Sequence, residues 1–328
     1  MSLLFVGVLL VILLLVLVLS KRLYNVYAKN LLIRYSNKNA HKWHTEEFSI
    51  EDERPSFYYA DFSPCLHHYC FNEKGEIMLQ FETGELAYHP CMIAEYTIIN
   101  AEKFLRTKDE VAKAQFVLHA NWLLDNLKVD ESGAGAWYYD FNNSVIQKKF
   151  YSGISQGVGM SALVRAYVIL GEEKYLEAAE RSYKWMIRPY SQNGCLFETG
   201  EWKGWIEEDT EGFHILNGHI YAALGLYDLW RVTRNISVYE AFQNALAVLK
   251  RQLPSFDVDY FSKYSQRPGA YCNNSYHLIH VYQLYILNRI TKDDFYLLYA
   301  KKFENQYYNK LKKLQFYLKL VSLAILKR

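Results

Sequence analysis

The sequence predicts a mainly α-helical protein: an α/α toroid of helix hairpins, preceded by a small β-rich region and a single N-terminal transmembrane helix. Three observations carry this. An uncharged apolar run opens the chain, short strand-like segments follow up to residue 88, and eight segments with apolar residues three and four apart fill most of the remainder. At 328 residues the chain suffices for one large domain or two ordinary ones. Its net charge of +2 argues against a nucleic-acid binder, whose basic footprint dominates its composition. The aromatic share is high, at 16% with 29 tyrosines, which suits sugar rings and flat ligands but equally fills helix-packed cores.

The first element is "LLFVGVLLVILLLVLVL", Leu3 to Leu19. At ~1.5 Å per helical residue it reaches ~25 Å, enough to span a membrane. A cleaved signal peptide is the rival reading. No basic residue precedes the run, however, and Leu19-Ser20-Lys21 lacks a small-residue cleavage pattern. Residues 1–20 are therefore read as an uncleaved anchor and 21–45 as a juxtamembrane segment. Lys21, Arg22, Lys29 and Arg34 follow the run, so the positive-inside rule favours a cytoplasmic-facing domain over a lumenal or periplasmic one. Five cysteines, an odd number without CxxC spacing, agree with a reducing compartment. The sequons at Asn142, Asn235 and Asn273 carry meaning only on the lumenal side.

From 46 to 88 the chain reads as strands: "FSI", "SFYYADF", "HHYCF", then Asn72-Glu73-Lys74-Gly75 as a turn into "EIMLQF". Residues 89–310 carry the helical period. Four joints, "TKDEV", "GEEKY", "NISVY" and "TKDDF", punctuate helix pairs, and Val111, Tyr175 and Tyr239 recur at intervals of 64 residues. Longer strand-and-turn segments, "GAWYYDF", "GCLFETGEWKGWIEED" and "DVDYFSKYS", lie between the pairs. A toroid gathers such segments at one mouth, where pockets form; a superhelical solenoid is the competing arrangement. The tail, 311–328, is basic and apolar, either a last core helix or a helix lying on an anionic membrane surface.

The chemistry-bearing residues narrow the choice. His277 and His280, like His41 and His44, are spaced i, i+3, yet neither pair has the glutamate of a zinc-protease helix or a nearby cysteine cluster, so no metal site is expected. The "GVG" at Gly157 to Gly159 lacks a phosphate-loop context, and no GxSxG elbow occurs. Glu207-Glu208-Asp209 offers paired carboxylates. Adjacent residues on an extended strand point to opposite faces, so Glu207 and Glu208 are not expected to serve one site together; a solvated hairpin edge is the plain alternative. The stretch "FSKYSQRPGAYCNNSYHLIH" gathers Tyr264, Tyr271, Tyr276, His277 and the single Arg267 around a Pro-Gly break.

The series "YYADFSPC", "YHPCMIAEYTIINAEKF", "YSGISQGVGMSALVRAY", "LNGHIYAALGLYDL", "FSKYSQR" and "YHLIHVYQL" resembles, in the same order, the D-glucuronyl C5-epimerases of the heparan type, from about Phe57 to Leu284. The resemblance implies a β-rich part followed by an α/α toroid, inversion at C5 of glucuronate units in a polysaccharide to give iduronate, no cofactor, and a possible homodimer. It implies Tyr264 and Tyr276 as catalytic tyrosines and Arg267 as the carboxylate-binding arginine. Glu208 and Asn217 are implied as cleft residues; Tyr88 and Gln156, which lie in the quoted motifs, are expected to bind substrate, and His277 is read from its own position as an orienting or sugar-contacting group. At Glu208-Asp209-Thr210 the chain departs from the family's Glu-Tyr-Pro.

Removing the C5 proton of a uronate places a second negative charge beside a carboxylate. A bidentate guanidinium stabilises that charge where it develops, and acid–base groups on opposite ring faces complete the inversion. On this reading Tyr264 and Tyr276 flank the sugar. The alternatives are a uronate lyase, a hydrolase with Glu208 as acid, and a membrane-tethered glycan-binding protein without catalysis.

Overall fold

The structure is a computed structural model and describes residues 42–43, 54–66, 69–141 and 150–326. The expected anchor and nearly all of the juxtamembrane segment lie outside the described residues. Two-residue strands β1 (Lys42–Trp43) and β2 (Ala60–Asp61) pair antiparallel. A three-stranded meander follows: β3 (Tyr69–Phe71), β4 (Ile77–Gln80) and β5 (Leu86–Ala87). Its first turn is the one the sequence marks, with Gly75 at φ 78° and the Asn72 side chain accepting from the amides of Lys74 and Glu76. "SFYYADF" is not the strand its composition suggests. Tyr58, Tyr59 and Phe62 are all fully buried, so the two-residue alternation of a half-buried strand is missing and only Ala60–Asp61 pairs.

Four helix hairpins make up the body. They are α1 (Pro90–Thr107) with α2 (Glu110–Asp125), α3 (Gly153–Leu170) with α4 (Glu173–Met186), α5 (Leu216–Thr233) with α6 (Ile236–Gln252), and α7 (Asn274–Thr291) with α8 (Asp294–Tyr308). The first helix of every pair has 18 residues. Each ends on a left-handed residue: Lys108, Gly171, Arg234 and Lys292, with φ between 51° and 77°. The N-cap of the second helix comes directly after, at Asp109, Glu172, Asn235 and Asp293. Measured at these caps the repeat is 63, 63 and 58 residues (171 − 108, 234 − 171, 292 − 234). The last interval is the shorter one.

The first helices pack side by side in the order α1, α3, α5, α7, with their partners outside, as in an α/α toroid. The composition follows the position. α5 is buried along almost its whole length, whereas α4 buries one face. α3 is apolar and long enough to cross a membrane, but it is mostly buried inside the protein and is a core helix. Short strands β6 (Lys128–Val129), β7 (Gly135–Ala136), β8 (Tyr138–Tyr139) and β9 (Phe150–Tyr151) form two small ladders in the first inter-hairpin segment. α9 (Lys310–Leu326) lays Phe316 and Leu320 against Phe261 and Cys272, and exposes Leu311, Leu314 and Leu318.

The α3–α5 contact sits at the centre of the row. A Cβ on Gly157 would meet the Ala222 Cα at 2.5 Å, and one on Gly225 would meet the Gly157 carbonyl oxygen at 2.3 Å, so the two backbones touch where only glycine fits. Two turns further along, Arg165 of α3 and Asp228 of α5 form a wholly buried ion pair at 2.7 Å. Asp228 also accepts from the Tyr59 hydroxyl at 2.7 Å, and Arg165 donates to the Phe57 carbonyl at 2.9 Å and lies over the Tyr58 ring. One pair thus ties the two central helices to the segment before the meander. Replacing Arg165 by Met leaves the Asp228 charge buried without its main partner, and urea unfolding should show a loss of about 3–5 kcal/mol. An unchanged midpoint and slope would mean that the pair is not the tie described.

Candidate active site

In each hairpin the inner helix begins at the same end, and the four beginnings meet at one cavity of about 670 Å³. His89, the N-cap of α1, lines it, with Ser152 and Ile215, the N-caps of α3 and α5, and Tyr276 in the first turn of α7. α3 and α5 have no side-chain cap; the first amide of each instead donates to a loop carbonyl, Gly153 to Glu207 at 2.8 Å and Leu216 to Tyr264 at 3.1 Å. The positive ends of four helix dipoles converge on this space, an arrangement that favours an anion.

Arg267 reaches the cavity from a tight turn. The amide of Ala270 donates to the Arg267 carbonyl at 3.0 Å, with Pro268 second and Gly269 third at φ 76°, the residues a type II turn requires. The turn is closed by the Tyr264 amide donating to Ala270. It is tied to α5 by the Leu216 amide donating to the Tyr264 carbonyl. Behind it, Phe261 stacks between His277 and Phe316, so α9 braces the loop from outside. The Arg267 guanidinium is exposed, lies 5.1 Å over the Phe213 ring and makes no ion pair among the described residues.

Glu207 and Glu208 part as alternation predicts. Glu207 turns into the body and pairs with the His214 imidazole. Glu208 turns into the cavity. It accepts from the Tyr264 hydroxyl at 3.3 Å, its other carboxylate oxygen is buried with no hydrogen-bond partner among the described residues, and it packs on Gly218, where a Cβ would meet that oxygen at 2.1 Å. Burial, helped by the neighbouring Asp209 charge, raises Glu208 to about 8. Burial and the Glu208 charge hold the Tyr264 phenol well above its ordinary value. The Tyr276 ring meets that of Tyr264 edge to face, with centroids 4.9 Å apart. Asn217 lines the cavity and its buried amide oxygen has no hydrogen-bond partner among the described residues.

Five expected residues therefore meet here: Tyr264, Arg267, Tyr276, Glu208 and Asn217. Tyr88, Gln156 and His277 do not line this cavity. Tyr88 donates to Glu76 at 2.6 Å and faces a neighbouring cavity. Gln156 is fully buried and bonds both backbone groups of Trp137, which holds the β7–β8 segment. His277 is fully buried, with one ring nitrogen on the Ser262 hydroxyl and the other on the Phe303 carbonyl, and burial lowers it to about 3. His277 thus faces α8 and the Phe261 ring, away from the cavity.

Sequence reasoning missed the α1 wall, which contributes His89, Cys91 and Glu95. The Glu95 carboxylate accepts from the Cys91 thiol at 3.7 Å, and burial raises it to about 7. The signal was present: Glu95 falls four residues after Cys91 and three before Ile98, on the buried stripe of α1, where an acid needs a reason.

A model of the D-glucuronyl C5-epimerase C-terminus matches residues 130–305. This chain belongs to the D-glucuronyl C5-epimerase C-terminal family. It is 29% identical over 221 residues to a D-glucuronyl C5-epimerase of Caenorhabditis elegans, covering 59% of this chain and 35% of that protein. It is 27% identical over 187 residues to an uncharacterised protein of Methanocaldococcus jannaschii, covering 54% of this chain and 60% of that one. The match thus spans about a third of the first relative's length and under two thirds of the second's. Among solved structures, a D-mannose isomerase superposes with a TM-score of 0.51 at 13% identity, over 73% of this chain and 66% of that one. A GH76 α-mannanase of Bacteroides thetaiotaomicron gives 0.50 at 14%, over 73% and 63%. These two likenesses establish the toroid-type fold.

The raised Glu208 carboxyl links stability to pH. The folded chain keeps this proton up to about pH 8, whereas the unfolded chain releases it near the ordinary 4.5. Its contribution is complete below the unfolded value and is lost as pH rises toward 8. Glu208→Gln should therefore raise Tm relative to wild type at pH 8 and change it much less at pH 4.5. Parallel melting curves at both pH values would remove the buried-acid assignment.

Proposed function

We propose that this cavity inverts C5 of a D-glucuronate unit within a polysaccharide, giving L-iduronate. The observation that carries the reading is an arginine free of ion pairs among the described residues, held at the mouth of a cavity formed by four helix N-termini and lined by acid–base groups. Family membership supports it. The uronate carboxylate docks on Arg267, two N–H donors against two oxygens. A base removes the C5 proton, and the electron pair of the C–H bond delocalises into the carboxylate. The guanidinium and the positive ends of the α3 and α5 dipoles then face the added charge where it forms. A proton delivered to the other face of C5 completes the inversion, with no bond to the polymer broken.

The proton groups are not two phenols with the sugar between them. Rings whose centroids are 4.9 Å apart and in edge contact leave no room for a pyranose. Tyr264 is committed to Glu208, so the two act as one unit. The phenol, held well above its ordinary value, stays protonated and orients the carboxyl, and Glu208, raised to about 8, keeps an ionised fraction near neutral pH that takes the C5 proton. Tyr276 gives its phenol proton to the other face, and exchange with solvent restores both groups.

Arg267→Lys keeps the charge and loses the planar fork. Conversion of glucuronate to iduronate units, followed by NMR of the polymer, should lose on the order of 10²-fold in kcat/KM, ~2.7 kcal/mol of transition-state stabilisation, with folding unchanged because Arg267 is exposed. Wild-type turnover in this variant removes Arg267 from the mechanism.

A further inference from the structure

The last helix, α9, is apolar on two opposite sides. One side packs on the body, with Phe316 and Leu320 buried against Phe261 and Cys272. The other carries Leu311, Leu314 and Leu318, which are 72%, 55% and 60% exposed. Their spacing, three residues and then four, sets them in one stripe along the helix. At ~3.6 residues per turn that stripe lies half a turn from the Phe316–Leu320 face.

The charges around the stripe all have one sign. Between Glu304 and residue 328 the chain has no acid, whereas Lys310, Lys312, Lys313, Lys319, Lys327 and Arg328 are basic. Lys312 reaches back to the Asp259 carbonyl, and Lys313 lies 4.4 Å over the Tyr307 ring. Lys310 and Lys319 are exposed. Four lysines within ten residues exclude a helix that crosses a bilayer. A leucine stripe flanked by ammonium groups suits one that lies in its surface.

A second copy of the chain is the other candidate to cover an apolar face. A two-fold contact would set one lysine-flanked stripe against another, like charge against like. Anionic headgroups over acyl chains complement both features at once. The apolar run Leu3 to Leu19, which lies outside the described residues and reads as an anchor in the sequence, points to the same partner. The helix also lies beyond residues 130–305, so the family match does not account for it.

We propose that α9 is a membrane contact in its own right, docking the Leu311–Leu314–Leu318 stripe into the surface of an anionic lipid bilayer with Lys310 and Lys319 on the headgroups. Its opposite face stacks Phe316 on Phe261, in the segment that leads to Arg267. Docking therefore sets that segment one helix diameter, ~10–12 Å, from the lipid. The candidate active cavity is then presented at the membrane surface, at a distance fixed by α9 rather than by the length of a tether.

The test uses the full-length protein with photoreactive benzoylphenylalanine in place of Leu314. The control carries it in place of Val111, which is 70% exposed at the far end of the hairpins from the start of α9. Both are reconstituted in vesicles of phosphatidylcholine alone or of phosphatidylcholine with phosphatidylserine. In the anionic vesicles, lipid crosslinking from position 314 should exceed that from position 111 by at least about tenfold. It should fall at least about threefold in neutral vesicles, in high salt, and in a Lys310→Glu/Lys319→Glu background. These positions are exposed, so circular dichroism should show an unchanged fold, and a probe in place of Leu318 gives the same readout if the one at Leu314 disturbs the helix. Crosslinking to a second copy of the chain, no crosslinking to lipid, or a yield that neither lipid charge nor the lysine reversal changes would each overturn the proposal.

Discussion

The structure depends on one contact, the close approach of α3 and α5. Gly157 and Gly225 let the two backbones touch, and the Arg165–Asp228 pair locks them at that distance in a place without water. A pair of this kind adds little net stability over well-packed apolar residues, but either charge left alone is costly, so it specifies one arrangement. The Tyr59 hydroxyl and the Phe57 carbonyl join the same network. The segment before the meander is thereby held on the central helices. Without that register the inner helices would not begin at a common level.

The common level is what makes a site. Four helix starts around one cavity bring the positive ends of four dipoles together on a scaffold of 18-residue helices, so the electrostatic preference for an anion is built in before any charged side chain is added. The charged side chain then comes from a loop, and the loop is fixed on two sides. The start of α5 holds Tyr264 from within, and the Phe261–Phe316 stack braces it from without. This gives the C-terminal helix a role in positioning Arg267, while its exposed leucines remain on the other face.

How much of this the chain reveals by itself depends on the kind of interaction. The helix pairs are legible because periodicity and capping are local, and all four joints carry their left-handed residue and N-cap in adjacent positions. The turn presenting Arg267 is legible for the same reason. Glu208 stands out as one of two adjacent carboxylates that alternation sends to opposite faces, whereas Asn217 is legible only through resemblance to the family. The destinations of Tyr88, Gln156 and His277 are set by partners far along the chain, at Glu76, Trp137 and Phe303, and no local pattern distinguishes a buried imidazole from one facing a ligand. Glu95 shows the opposite failure. Its acid on an apolar stripe was visible, but its meaning required knowing that α1 borders the cavity.

The most direct measurement of the central claim is hydrogen exchange at C5. A glucuronate-containing polysaccharide is incubated with the protein in heavy water and read by NMR, with chain length and ultraviolet absorbance followed in parallel. Proton abstraction and return at this cavity predict deuterium at C5, iduronate units among the products and a polymer of unchanged length. No deuterium at C5, or deuterium-free product with new chain ends or ultraviolet-absorbing unsaturated sugars, would contradict it.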